Sequence, residues 1–214
     1  MQKKPSEWVS ISDLMSGVMA VVMLMLVISV LQNTYAEIKH KQELEGGQKS
    51  QQQKVQKMMT DMKNSVSKQG ADGLVDFNLD QGKITLKDNV FARGSACITP
   101  QAAQAFHSIE DKIGQFLTDS QYAGIYVEGH TDNLPVGSPV TNFQQFCTVY
   151  DDNFTLSAAR AREARKLLIG KLDAATAKRV IVAGYGDSQP LKGIPPEDAR
   201  NRRVEVKFAF LPTQ

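Results

Sequence analysis

The chain has 214 residues, with 25 Lys and Arg against 23 Asp and Glu for a formal net charge of +2, and this length holds one ordinary domain of about 100 to 150 residues plus appendages. So small a charge excess calls for no nucleic acid, and no direct nucleic-acid binding is expected. The two cysteines, Cys97 and Cys147, permit one bridge, stable only in an oxidising compartment; the other reading is a pair of buried free thiols.

In chain order the first element is an apolar run, LMSGVMAVVMLMLVISVL from Leu14 to Leu31, with no charge in it. As a helix rising about 1.5 Å per residue it covers about 27 Å, close to the hydrocarbon thickness of a bilayer. It is too long for the core of a signal peptide and is followed by polar sequence, so a transmembrane helix over 14–31 is expected. Lys3 and Lys4 precede it, while Lys39 and Lys41 lie several residues beyond. This modest bias puts residues 1–13 in the cytoplasm and the rest of the chain outside, where a Cys97–Cys147 disulfide forms.

Asp13 stands at the head of the span. A carboxylate at membrane depth costs about 2.5 to 3.5 kcal/mol on insertion scales, and less near the interface. One reading is a helix cap, with Ser12 or Asp13 accepting from free backbone amides. The other is functional. Ser16, Gly17 and Ala20 follow at i+3, i+4 and i+7, a stripe of small residues that lets other helices approach. A carboxylate on such a packed face loses its water and exchanges protons as its surroundings alternate, which makes Asp13 the candidate ion-translocating residue.

Residues 32–70 read as a polar, partly helical linker with Gly46 and Gly47 as a break. Val55, Met58, Met59, Met62 and Val66 recur at helical spacing, which predicts either an amphipathic helix that pairs with its symmetry mate or a partner, or a solvated tether. From residue 71 to 214 strands alternate with helices. GKITLKDNVF, YAGIYVEGH, KRVIVAGYG and NRRVEVKFAF are predicted strands. PQAAQAFHSIEDKIGQFL is a helix with Ala102, Phe106, Ile109, Ile113 and Phe116 inward, and FTLSAARAREARKLLIGKL one that buries Leu156, Ala159, Ala164, Leu167 and Leu168. The order predicts an α/β fold, an α+β sandwich with helices on one face of a sheet.

Four spaced motifs, VEGHTDN (Val127 to Asn133), NFTLSAARA (Asn153 to Ala161), GYGDSQP (Gly184 to Pro190) and NRRVEV (Asn201 to Val206), resemble the OmpA-like peptidoglycan-binding domain with its βαβαββ order. The N-terminal SDLMSGVMAVVMLMLVISV is similar to the membrane helix of the MotB family, whose aspartate at the start of the span is the proton site. The SISDLMSG wording with a short linker is most similar to the ZorB family of Zorya anti-phage systems. The resemblance implies a homodimer in the inner membrane, a pentameric MotA-like (ZorA-like) membrane partner, peptidoglycan as ligand, and H+ as the transported ion with no cofactor. It also implies that Asp132 and Arg160 hold the amine and carboxylate of a diaminopimelate side chain, with Asn153, Leu156 and Arg203 lining the pocket and Thr131 in support. A zwitterionic end needs one anion and one cation, and a guanidinium grips a carboxylate through two parallel bonds. The competing reading is an ion pair that only stabilises the domain.

Where that family has a short loop, this chain inserts LPVGSPVTNFQQFCTVYDD, which includes Cys147. A bridge to Cys97 would pin the insertion across the domain; folded over the pocket, it would block the ligand. Other readings are weaker. His130 with Asp132 lacks further residues at metal-ligand spacing, no Walker loop or GxSxG elbow suggests an enzyme, and Gly184–Gly186 is too short for a dinucleotide site. Arg160, Arg162, Arg165 and Lys166 form a basic helix face without an aromatic platform for bases.

Overall fold

The structure is a computed structural model that describes residues 7–210, excepting the side chains of residues 7–13, 40–48 and 108. The chain divides into two units, Met1–Gln51 and Gln52–Gln214. Helix α1 (Glu7–Lys68) supplies the whole of the described first unit and the opening turns of the second. Asp13 lies within this helix; its side chain is outside the described residues. The helix passes through Gly46 and Gly47, so the break expected there is absent: two glycines cost about 2 kcal/mol of helix propensity, spread over a long helix with good formers on either side.

In the first unit, Leu14–Lys39 is long and apolar enough to cross a membrane, with a mean hydropathy of 2.7 over its most apolar stretch. Its large apolar side chains from Leu14 to Leu31 are all exposed within this single chain. A continuous apolar surface of that extent is not stable in water.

The second unit is built on a five-stranded sheet. Its strands are β1 (Val75–Asn78), β2 (Lys83–Lys87), β3 (Ala123–His130), β4 (Val180–Gly184) and β5 (Arg203–Phe210), in the order β1-β2-β5-β3-β4. Only the β3–β4 pair is parallel. The crossover between them runs through α3 (Phe143–Phe146), α4 (Asn153–Leu168) and α5 (Ala174–Ala177), while α2 (Pro100–Asp119) joins β2 to β3. The four predicted strands and two long helices are present. The short β1, with Asp76 and Asn78 in a four-residue strand, was not expected from the sequence, because strands disfavour both residue types.

Alternation along the strands divides the sheet into two faces. Ile84, Leu86, Ile125, Val127, Val180, Val204, Val206 and Phe208 make the core face. Helix α2 covers it with Ala102, Phe106, Ile109, Ile113 and Leu117, and α4 with Ala161, Ala164 and Leu168. Thr99 caps α2 by accepting from the Ala102 amide, and Pro100 follows it where no amide partner is needed. Phe116 meets Phe208 edge to face, ring centroids 5.2 Å apart.

The last turns of α1 belong to this core. Val55, Met59, Met62 and Val66 are all 5% exposed or less. The stripe read from the linker is therefore real, but it packs on its own domain and not on a symmetry mate, and the boundary drawn at residue 70 falls inside the second unit. The opposite sheet face carries Lys83, Thr85, Glu128, His130, Arg203, Glu205 and Lys207.

Candidate functional site

Two glycines bring α4 against the sheet. A Cβ at Gly129 would lie 1.9 Å from the Ser157 carbonyl oxygen, and one at Gly184 would lie 2.6 Å from the Ala158 Cβ. This close approach sets the first half of α4 beside the end of β3. Asp152 caps the helix by accepting from the Thr155 amide at 2.6 Å. The Asn153 side chain donates to the carbonyls of Asp132 (3.2 Å) and Leu134 (2.9 Å), which holds the loop after β3 against the helix start. The Thr131 amide donates to the Gly186 carbonyl, and the Gly186 amide donates to the Ser157 hydroxyl.

Asp132 and Arg160 come to the same end of the domain, but each is paired with another residue. Arg202 Nη1 lies 2.6 Å from Asp132 Oδ2, and Arg202 Nε lies 2.9 Å from Asp88 Oδ2. The second Asp88 oxygen accepts from Arg160 Nη1 at 3.0 Å. The result is a row of alternating charges, Asp132, Arg202, Asp88, Arg160, that sums to zero. Arg160 is 3% exposed, and burial lowers its guanidinium from the usual value while Asp88 opposes the shift; an arginine stays charged through such a change. Its Nε donates to the Ser95 carbonyl at 2.9 Å, and its guanidinium stands over the Phe91 ring, 5.2 Å from the centroid. Burial also acts against the charge of Arg202, but its bonds to Asp132 and Asp88 outweigh that and raise its value.

Three members of the row, Arg202, Asp88 and Arg160, line a cavity of about 1230 Å³ together with Leu156 and Arg203, whereas Asp132, Thr131 and Asn153 stand off its wall. Leu134, Pro135 and Gly137, from the start of the insertion, form part of its wall. The insertion therefore borders the cavity and does not fill it. Cys97 and Cys147 are bonded in a disulfide, with Cα atoms 5.1 Å apart. Arg203 touches the cavity, but its guanidinium serves elsewhere, donating to Glu205 (2.7 Å), the Asn201 carbonyl and the Gln189 carbonyl. Arg202 and Asp88 were missed by the sequence reading. The doubled arginine of NRRVEV was the available signal, since Arg202, extended just ahead of β5, and its neighbour Arg203 point to opposite sides.

His130 is 1% exposed and stacks on Tyr185, and neither ring nitrogen has a partner among the described residues; the same holds for the Thr131 hydroxyl. Burial, with Arg203 adding to it, pushes the imidazole down to about 4. Glu128 and Glu205 bring carboxylate oxygens within 4.8 Å of it. Both carboxylates are already matched by Lys207, Lys83 and Arg203, so the group has no net negative charge to offer a cation.

The OmpA family profile matches residues 90–203, more than half of the chain, and the chain belongs to that family. Motility protein B of Bacillus subtilis is 32% identical over 128 residues, covering 58% of this chain and 43% of its own length. The uncharacterized protein YtxE of the same organism is 30% identical over 119 residues, covering 55% and 43%. The chain thus spans less than half the length of either relative. Among solved structures, a MotB like protein from Desulfovibrio vulgaris superposes with a TM-score of 0.58 at 22% identity, covering 76% of this chain and 98% of its own. The cell wall anchor of the T6SS from Pseudomonas aeruginosa gives 0.51 at 25% identity, covering 70% and 96%. The mixed sheet with its helices is the fold of these proteins.

Proposed function

We propose that this chain is the wall-anchored subunit of an ion-driven motor in a bacterial inner membrane. Its apolar segment crosses the bilayer once with the N-terminus in the cytoplasm, and its OmpA-family domain holds peptidoglycan in the periplasm. The observation that carries this reading is the presence, in one chain, of an exposed apolar helix headed by Asp13 and a buried aspartate–arginine row opening on a cavity. In a homodimer, two Asp13 helices stand inside a ring of MotA-like membrane subunits. Protons passing Asp13 turn the ring while the domain stays fixed to the wall. The drive is about 2.3 kcal/mol per charge per 100 mV, so several protons act in sequence for each useful movement.

For the output we propose anti-phage defence of the Zorya type, with this chain as its ZorB component, on the SISDLMSG wording at the head of the span. Similarity to Motility protein B favours a second output, flagellar motility. Similarity to a cell wall anchor favours a third reading, a passive tether in which Asp13 carries no ion; the cap reading falls, because α1 begins at Glu7, before Asp13.

Asp13→Asn in the full chain separates motor from tether. It is expected to keep membrane insertion and co-sedimentation with purified sacculi while abolishing output; an active Asn variant leaves only the tether. A deletion strain challenged with phage and scored for swimming separates the outputs. Lost resistance with normal swimming supports defence, and the reverse supports motility.

A further inference from the structure

The wall-binding reading gives Arg160 the task of gripping a carboxylate, and the next question is what aims its guanidinium. One edge is fixed by Asp88. The other is fixed by a backbone carbonyl, that of Ser95, which accepts from Arg160 Nε at 2.9 Å. Ser95 lies in the turn before α2 and is 2% exposed.

That turn is held from outside by the insertion. The Ala96 amide and the Ser95 hydroxyl both donate to the Phe146 carbonyl, at 3.0 and 2.9 Å. The Tyr150 hydroxyl donates to the Gly94 carbonyl at 2.6 Å. The disulfide from Cys97 to Cys147 closes the assembly, two residues from Ser95 on one side and one residue from Phe146 on the other. Arg162, two residues further along α4 and exposed, donates to the Cys147 carbonyl at 2.8 Å and so secures the same point.

We propose that the disulfide-stapled insertion is a clamp on the Ser95 turn, and that Ser95 is a positioning residue for Arg160. With both edges of the guanidinium held, its remaining N–H groups point in one direction; with the Ser95 edge released, it pivots about its bond to Asp88. Grip on the wall then depends on the oxidised cysteine pair. The inference rests on the reading that Arg160 binds peptidoglycan.

The test measures co-sedimentation of the full chain in detergent micelles with purified sacculi. It compares the oxidised protein, the same protein in dithiothreitol, and a Cys97→Ser/Cys147→Ser variant, each with and without Arg160→Gln. Dithiothreitol reduces the bridge to two thiols and is itself oxidised to its cyclic disulfide. Loss of the bridge is expected to weaken binding tenfold or more, and Arg160→Gln is expected to cost less than threefold once the bridge is gone, because the contribution of Arg160 has been lost already. Arginine-labelled protein should show the Arg160 Nε–H exchanging slowly with solvent when oxidised and at least tenfold faster when reduced, a change that general loosening far from Ser95 would not produce.

Binding within twofold of wild type in the folded, bridge-less protein overturns the clamp, as do losses that simply multiply. Tyr150→Phe keeps the bridge and the ring, and serves if the bridge-less variant does not fold. A severalfold loss at unchanged melting temperature supports the clamp, and unchanged binding overturns it. Failure of the oxidised wild-type chain to bind sacculi overturns the wall-binding reading and this inference with it, whereas oxidised binding that ignores the bridge overturns this inference alone.

Discussion

Asp132, Arg202, Asp88 and Arg160 stand in contact as one row, so removing Arg202 leaves Asp132, and removing Asp88 leaves Arg160, without its counter-charge. Asp132 is 6% exposed and Arg160 3%, and a buried charge stripped of its partner costs several kcal/mol, less where solvent reaches the pair. Arg202 is about one-third exposed. Arg202→Gln is therefore expected to lower stability by about 1–3 kcal/mol in chemical denaturation and to weaken sacculus binding. A second prediction comes from His130. The unfolded chain takes up that proton near pH 6.5, while the folded protein excludes it until about 4. Stability is full above pH 6.5 and drains as the pH falls through that window, by at most about 3 kcal/mol. Denaturation curves between pH 7 and pH 4.5 should show the slope, and His130→Phe, which keeps a ring against Tyr185, should flatten it. Glu205 acts lower on the scale. Burial disfavours its charge, but Arg203 and Lys83 more than compensate and hold it at about 2, so its contribution is present above about pH 4.5 and is lost only below that. At this scale the cysteine pair was legible, and motif position names Asp132 and Arg160, which the fold brings to one end of the domain on partners of their own. Asp88, Ser95 and Arg202 were not: they meet Arg160 or Asp132 only because the topology brings together positions as much as 72 residues apart.

Elements carry the site through their packing. Helix α4 rests on the backbone of β3 and β4 at Gly129 and Gly184, where there is no room for a methyl group. Gly129→Ala must push α4 away from the sheet, and Arg160 with it. A loss of about 3 kcal/mol, the upper end for an overpacked core, is expected in denaturation, together with weaker sacculus binding; a variant of wild-type stability would show that α4 can shift freely. The spacing of Val55, Met59, Met62 and Val66 shows the limit of periodicity as a guide. It says that a face is buried and is silent about what buries it. Here the cover is the domain itself. Met59 is fully buried, so Met59→Ala is expected to cost about 2–5 kcal/mol, measurable as a shift in the urea midpoint. Strand β1 escaped notice for a related reason: its alternation puts Val75 and Phe77 opposite Leu86 and Ile84, a pattern too short to be distinguished before its partner strand is known.

At the scale of the whole molecule, the second unit begins at Gln52, well before the first strand. The four apolar side chains that α1 contributes bury surface worth about 6–12 kcal/mol together, comparable to the entire stability of an ordinary domain. A fragment cut at residue 71 is expected to melt far below one that starts at residue 52, or not to fold; equal melting temperatures would mean that the last turns of α1 are dispensable. The alternation of strands and helices made the architecture readable from the sequence, because period-2 and period-3.6 patterns are strong in long, half-buried elements. The limits of the folding unit were not readable, because residues 52–70 mix a narrow apolar stripe with polar residues and only the packed structure shows what buries that stripe.

Strand β5 is the latest of the five in chain order and lies at the centre of the sheet, between β2 and β3. Until the ribosome has delivered it, β1 and β2 have no link to β3 and β4, and half of the core lacks its floor. A domain assembled this way has to wait, unfolded, for its final strand to leave the ribosome. Nonsense mutations anywhere ahead of residue 203 should then yield no partly folded domain, only chains that proteases clear.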